Sequence, residues 1–277
     1  MVIAKVSYFR LTLIALLLQA PSGCRSRHAP PVVYSMPVMD TIIEISVWGD
    51  GGNAIIAYGF QEVRRIEDQF SIFKPASEIA RLNDGRLEEM SAECRNLLAA
   101  AEKYREITGG AFDIDYRHNG RIDLGGIAKG YAADKVARIF RDKGISRAMI
   151  NIGGNLYLLG YPPGKNFWTV GIKDPGQPGR LIASLRLDAA TGVATSGDYE
   201  RPGHIIDPVA GTNTGELFSV TIIAPTAVEA DALSTGVFVM GRRQGSQLIE
   251  KLPGIEGVII DKDGVWISPG LKDRFDM

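Results

Sequence analysis

The run Asp123-Leu124-Gly125-Gly126-Ile127-Ala128-Lys129-Gly130-Tyr131 sets an acid, two adjacent glycines and a lysine where an irregular segment turns into a helix. That pattern suits a phosphorylated ligand. Glycines let a backbone approach a ligand closely, and the first N–H groups of a helix lack intrahelical partners and carry partial positive charge, which favours phosphate oxygens. Lys129 adds a full charge. The same run also reads as a glycine-rich loop that packs a helix tightly on a strand. A second stretch, residues 225–236, opens with the capping box Thr226/Glu229 and sets Asp231 and Thr235 one turn apart, a carboxylate and a hydroxyl on one helix face. Two such oxygens suit Mg2+, which takes few protein ligands and fills its shell with water and phosphate oxygens. The alternative is a structural Asp–Thr hydrogen bond. A third cluster, Thr195-Ser196-Gly197-Asp198-Tyr199 with His204-Ile205-Ile206-Asp207-Pro208, gathers hydroxyls, carboxylates and an imidazole. His204, with an ordinary pKa of about 6.5, suits proton acceptance near neutral pH. A histidine beside an apolar pair is equally a structural residue, and Asp207 before Pro208 is equally a turn residue.

These residues need elements to carry them. After a Pro-rich stretch containing Pro30, Pro31 and Pro37, Ile43, Ile45 and Val47 alternate as in a half-buried strand over residues 41–48. Ile56, Phe60, Val63, Ile66 and Phe70 line one side of a helix over 54–70, with Arg64, Arg65, Glu67 and Asp68 mostly on the other. A short helix follows around Ser77 to Asn83. Another starts at Ser91 as N-cap, buries Cys94, Leu97, Leu98, Ala101 and Tyr104, and ends at Gly109-Gly110. Ile127, Tyr131, Ala132, Val136, Ile139 and Phe140 recur at helical spacing behind the glycine run, and Gly144 stops that helix. Short strands are expected at 148–152, 156–159, 167–172, 181–187 and 218–224. A hairpin is expected where 258–260 and 265–267 flank Asp263-Gly264. Helices and antiparallel-looking strands alternate unevenly, so the fold class read from the sequence is α+β.

Composition narrows the function. The 277 residues are 45% hydrophobic and 23% charged, enough for a sizeable core, and a net charge of -1 gives no pull towards nucleic acid. Cys24 and Cys94 are too few for a disulfide framework or a cysteine-rich metal site. Lys5 and Arg10 precede the apolar run 11–18, which is short for a membrane span and reads as a signal peptide. Pro21-Ser22-Gly23-Cys24 then resembles a lipobox, with Pro21 where leucine is usual. The expected organisation is a signal peptide over 1–24, a linker over 25–37 and one domain over 38–277. The mature chain is expected outside the cytoplasm, periplasmic, with lipid attachment at Cys24 as one route and simple cleavage near Ala20 as the other.

Taken together, the ordered motifs resemble the ApbE family of FAD:protein FMN transferases. They are Phe70-Ser71, Ser77-Glu78, Leu82-Asn83, Gly110-Ala111-Phe112-Asp113-Ile114, residues 123–131, Asn151-Ile152-Gly153-Gly154-Asn155, Thr195 to Tyr199, His204 to Pro208, Ala230-Asp231 and Ser234-Thr235. The resemblance implies a T-fold-related α+β architecture with mixed or antiparallel sheets and packed helices. It implies FAD as substrate, Mg2+, and transfer of the FMN moiety onto a threonine or serine of an acceptor protein with release of AMP. Holding FAD without transfer, or hydrolysing it to FMN and AMP, are the competing functions. Carried over by position, Met39, Phe73, Ala111, Phe112, Asp113, Asp123, Lys129 and Ile206 fall where the family contacts FAD. The Gly126 carbonyl and the Asp231 and Thr235 side chains fall where it holds the metal. His204, or Asp207 in its place, is the candidate base. Departures are Asp40 where the family has glycine, Phe73 where tyrosine is common, and shortened segments between Asp113 and Asp123 and between Tyr199 and His204.

Overall fold

The computed structural model describes residues 29–49, 51–198, 203, 205–212 and 217–277. The expected signal peptide, Cys24, Tyr199 and His204 therefore lie outside the described residues. In chain order the elements are β1 (Val32–Val38), β2 (Thr41–Val47), α1 (Gly52–Phe70), α2 (Glu78–Asn83), α3 (Ala92–Ile107), α4 (Ala128–Asp142), β3 (Ala148–Ile152) and β4 (Asn155–Leu159). They continue with β5 (Trp168–Lys173), β6 (Leu181–Leu187), β7 (Thr191–Gly197), β8 (Leu217–Ala224), α5 (Ala227–Lys251), β9 (Glu256–Asp261), β10 (Gly264–Ile267) and β11 (Phe275–Asp276).

Among the described residues, eight strands form one antiparallel sheet in the order β1-β2-β3-β4-β7-β8-β9-β10, and β11-β6-β5 form a smaller one. Strand alternation sends neighbouring residues to opposite faces. Ala194, Ile222 and Ile259 face a core shared with the helices, while Val193, Ile223, Val258 and Ile260 face a second core with Trp168, Leu185 and Leu187 of the small sheet. Helices thus cover one side of the large sheet and the small sheet covers part of the other. This is the expected α+β arrangement, with antiparallel pairing throughout the described sheets.

Two sequence expectations need correction. The linker expected to run to residue 37 gives way to strand β1, because Val32, Tyr34, Met36 and Val38 pair in register with β2 at the edge of the sheet. An edge position next to a turn tolerates Pro37. Strand β7, which lies in the middle of the sheet, coincides with the third hydroxyl-rich cluster. Its Gly192, Val193, Ala194 and Ser196 are buried, so covering on both faces removes the alternation that would mark a strand.

The packing of α4 on α5 is unusually close. A Cβ placed on Gly130 would lie 2.2 Å from Ala227 O and 2.7 Å from Asp231 Cβ. Gly-to-Ala in a helix normally stabilises by about 0.5–1 kcal/mol. Gly130→Ala should do the opposite and destabilise by about 1–3 kcal/mol, because the two helices must separate. Thermal unfolding of this variant checks the contact, and an unchanged or raised Tm would contradict it.

Candidate active site

Buried Asp231 marks the floor of a cleft between the helix layer and one end of the large sheet. Its side chain is 3% exposed, and Oδ2 accepts a hydrogen bond of 2.8 Å from the Gly130 backbone N–H. The Lys129 backbone N–H and the Lys129 charge also favour its ionised form. The sequence reading assigned the N–H groups of α4 to a ligand phosphate. The structure corrects this: the chain's own carboxylate occupies the Gly130 donor, because Gly130 has no side chain to keep α5 away. Thr235, one turn on, lines the same space, and its hydroxyl donates to the Asp231 backbone carbonyl at 3.3 Å. A Cβ on Gly126 would come within 3.4 Å of Thr235 Oγ1, and Ser196 Oγ lies 3.4 Å from that hydroxyl and 2.8 Å from Ser234 Oγ.

The cleft above this floor has a volume of about 940 Å3, near the upper end of the roughly 300–1,000 Å3 usual for small-molecule sites. It brings together Met39, Phe73, Ala111, Phe112, Asp113, Asp123, Gly126, Lys129, Ile206, Asp231 and Thr235 in its lining. Each is held from behind. Met39 and Asp40, at φ 54° and 55°, are the two residues between the paired Val38 and Thr41, a turn geometry that glycine or aspartate accommodates. Met39 N–H donates to Glu67 Oε1 at 2.7 Å, so Glu67, expected on a solvent face, serves the cleft wall. Thr108 Oγ1 accepts from Phe112 N–H at 2.9 Å, and Asp113 Oδ1 accepts from Asp115 N–H at 2.8 Å. Asn83 brackets Ile122, accepting its N–H at 2.7 Å and donating to its carbonyl at 2.8 Å, which presents Asp123. Asp123 Oδ1 in turn accepts from Gly125 N–H at 2.9 Å. Lys129 Nζ donates to Gly125 O at 2.7 Å. Phe73 stands on the rim, 84% exposed.

Asp207 lies between Ile206 and Pro208, which line the cleft. It is absent from the cleft lining, and its Oδ1 accepts from Val209 N–H at 2.7 Å and Ala210 N–H at 3.2 Å, which makes it the turn residue that the Asp-Pro pair also allowed. The sequence reading missed Tyr116 and Arg117, which line the cleft from the shortened 113–123 segment. That segment is tied across the cleft mouth by a 2.7 Å hydrogen bond between His118 Nε2 and Pro208 O. It also missed Asp134, whose charge on α4 has no motif signature; its carboxylate accepts from Ala227 and Val228 N–H, both at 2.9 Å.

The donors at the floor fit Mg2+. They are the Asp231 carboxylate and the Thr235 hydroxyl, both oxygen, beside the Gly126 backbone, and among the described residues no three His, Cys, Asp or Glu side chains converge as a softer or all-protein metal cage would require. Burial pushes the Asp231 carboxyl up from its ordinary range, so a cation beside it would relieve an unfavourable charge. Burial also pushes Asp134 up to about 6, against the two backbone N–H groups that pull it down. A carboxyl held above its unfolded value binds its proton more tightly when folded. Its contribution therefore favours the fold below about pH 4 and is lost as pH rises through about 6. In metal-free buffer, Tm of the wild type should fall relative to Asp134→Asn between those pH values; a pH-independent difference would contradict this.

Fold and floor together define the class: an α+β protein with a deep cleft whose floor is lined by the oxygens of one buried carboxylate and neighbouring hydroxyls. The chain belongs to the ApbE family, whose model matches residues 39–120 and 115–259. A Treponema pallidum protein named FAD:protein FMN transferase is 38% identical over 175 residues, covering 56% of this chain and 48% of that one. The chain thus spans about half the length of that relative. A Vibrio cholerae protein of the same name is 27% identical over 302 residues, covering 87% of this chain and 90% of its own. The crystal structure of the ApbE protein of Thermotoga maritima aligns with a TM-score of 0.78 at 28% identity, covering 87% of this chain and 97% of that one.

Proposed function

We propose that this chain is an Mg2+-dependent flavin transferase that moves the FMN moiety of FAD onto a threonine or serine of an acceptor protein and releases AMP. The observation that carries the reading is the meeting of Gly126, Asp231 and Thr235 at the floor of a cleft that Lys129 and the aromatic ring of Phe112 also line. The names of the relatives support it. Mg2+ held by the Asp231 carboxylate, the Thr235 hydroxyl and the Gly126 carbonyl would supply positive charge to the diphosphate.

The chain's own groups do the rest. Lys129 adds a charge that stabilises the diphosphate and the departing AMP. Met39, Phe73 and Ile206 hold the flavin half from the rim, while Asp113 and Asp123 bracket the polar part of the ligand. The acceptor hydroxyl oxygen attacks the phosphorus of the FMN half; a new P–O bond forms, the bond to the bridging oxygen breaks, and AMP leaves with that oxygen. His204 takes the hydroxyl proton as base. The chain is proposed to be exported, by lipid attachment at Cys24 or by simple cleavage near Ala20. Among the described residues no helix is long and apolar enough to cross a membrane.

Incubating the purified chain with FAD, Mg2+ and a flavin-acceptor domain should give flavin fluorescence on the acceptor band and one AMP per acceptor labelled. AMP without acceptor fluorescence would make the chain an FAD hydrolase, and neither product would make it a flavin holder. His204→Asn should lower single-turnover AMP release by about 10²–10⁴, the usual worth of a general base, while FAD affinity stays within about tenfold. Equal losses in both would remove His204 from the chemistry.

A further inference from the structure

Helix α5 carries both side chains assigned to the metal, and its first turn is gripped from outside. Thr226, the N-cap, accepts from Glu229 N–H at 3.3 Å. The two N–H groups before it, on Ala227 and Val228, donate to Oδ1 and Oδ2 of Asp134 on α4. Three of the donors that a helix leaves open at its N-terminus are thereby satisfied, two of them by a neighbouring helix. Asp134 stands one turn beyond Gly130, whose N–H holds Asp231. The two helices therefore exchange carboxylates: α5 gives Asp231 to the N-terminal turn of α4, and α4 gives Asp134 to the N-terminal turn of α5.

Close packing removes slack from this arrangement. Gly130 touches Ala227 on one side, and on the other a Cβ on Gly192 of β7 would fall 2.3 Å from Thr226 C. The first turn of α5 is thus held between α4 and the centre of the sheet. An ionised carboxylate at a helix N-terminus is favoured by the helix dipole. Burial nonetheless holds Asp134 up at about 6, an opposition that a neutral Asn or Ser cap would not meet. Asp134 and Asp231 also feel each other's charge.

We propose that Asp134 is a positioning residue for the metal site: its two-oxygen grip on the first turn of α5 fixes Asp231 and Thr235 against Gly126, and it adds a second negative charge beside a ligand set that contains one. This rests on the Mg2+ reading of the floor. Loss of the grip weakens metal binding more than it weakens FAD binding or the fold.

The test uses the full chain and Mn2+ as probe, with free Mn2+ followed by its electron spin resonance signal. Asp134→Asn keeps the shape but offers one acceptor oxygen in place of two. Its Mn2+ affinity should fall about tenfold or more, equivalent to about 1.4 kcal/mol. FAD affinity, measured by fluorescence quenching in EDTA, should stay within about threefold, and unfolding should remain cooperative. Asp231→Asn should abolish the Mn2+ site. Mn2+ affinity in Asp134→Asn within about twofold of wild type, with the site lost in Asp231→Asn, overturns the positioning role and leaves the metal reading intact. Metal and FAD affinities falling together in step with Tm reduce Asp134 to a fold-stabilising cap and also overturn it. Wild-type chain that binds no more Mn2+ than Asp231→Asn overturns both readings. Should Asp134→Asn fail to fold, Asp134→Ser, a neutral cap with a shorter reach, is measured on the same scale.

Discussion

The contact between the Asp231 carboxylate and the N-terminal turn of α4 is the interaction around which the rest of this molecule is arranged. A buried carboxylate is unfavourable unless it is hydrogen-bonded and paired with positive charge. Here the helix supplies the first part, through Gly130 N–H and the partial charge of its N-terminus. The second part comes from the Lys129 charge, and in the proposed function from a cation beside Thr235 and Gly126. That division explains why a glycine stands inside a helix at Gly130, where it would ordinarily weaken it: any side chain would separate the carboxylate from its donors.

Around this floor, regular elements give way to irregular segments towards the rim. The inner wall is built from regular elements: α4, α5 and the central strand β7, with hydroxyls of Ser196, Ser234 and Thr235 linked to one another. The middle wall is made of irregular segments pinned by single side chains, as Asn83 pins Ile122 and Thr108 pins Phe112. The outer rim carries exposed Phe73 and the shortened 113–123 segment with Tyr116 and Arg117. In the proposed function, chemistry on phosphate would use the inner part built on regular elements, and recognition of an acceptor protein would use the outer part.

How much of this was legible in the sequence follows from what each residue's neighbours are. Helical faces showed through because α1 and α4 each bury one stripe against the sheet and α3 buries one against α5, and the bounds of β3 and β6 are those read from their apolar runs. Strand β7 did not show, since both of its faces are covered and its small residues make room for α5. The hairpin of β9 and β10 was found, but pairing of Asp261 with Gly264 makes Lys262 and Asp263 the turn residues, one position earlier than the Asp-Gly pair suggested. The Asp231/Thr235 face was legible from helical period alone. Asp134 was not, because its partners are backbone groups 93 and 94 residues away and no local pattern records them. Asp207 is local: its carboxylate serves its own turn, the role the Asp-Pro pair also allowed.

The central proposal is that the buried Asp231 carboxylate binds a divalent cation. Thermal unfolding with saturating FAD at pH 7.5, as Mg2+ is raised, tests it most directly, since a ligand at a hundred times its Kd stabilises by about 2.7 kcal/mol. Tm of the wild type is expected to climb by several degrees, and Tm of Asp231→Asn to stay flat. The same climb in both proteins, or none in the wild type, would contradict the account.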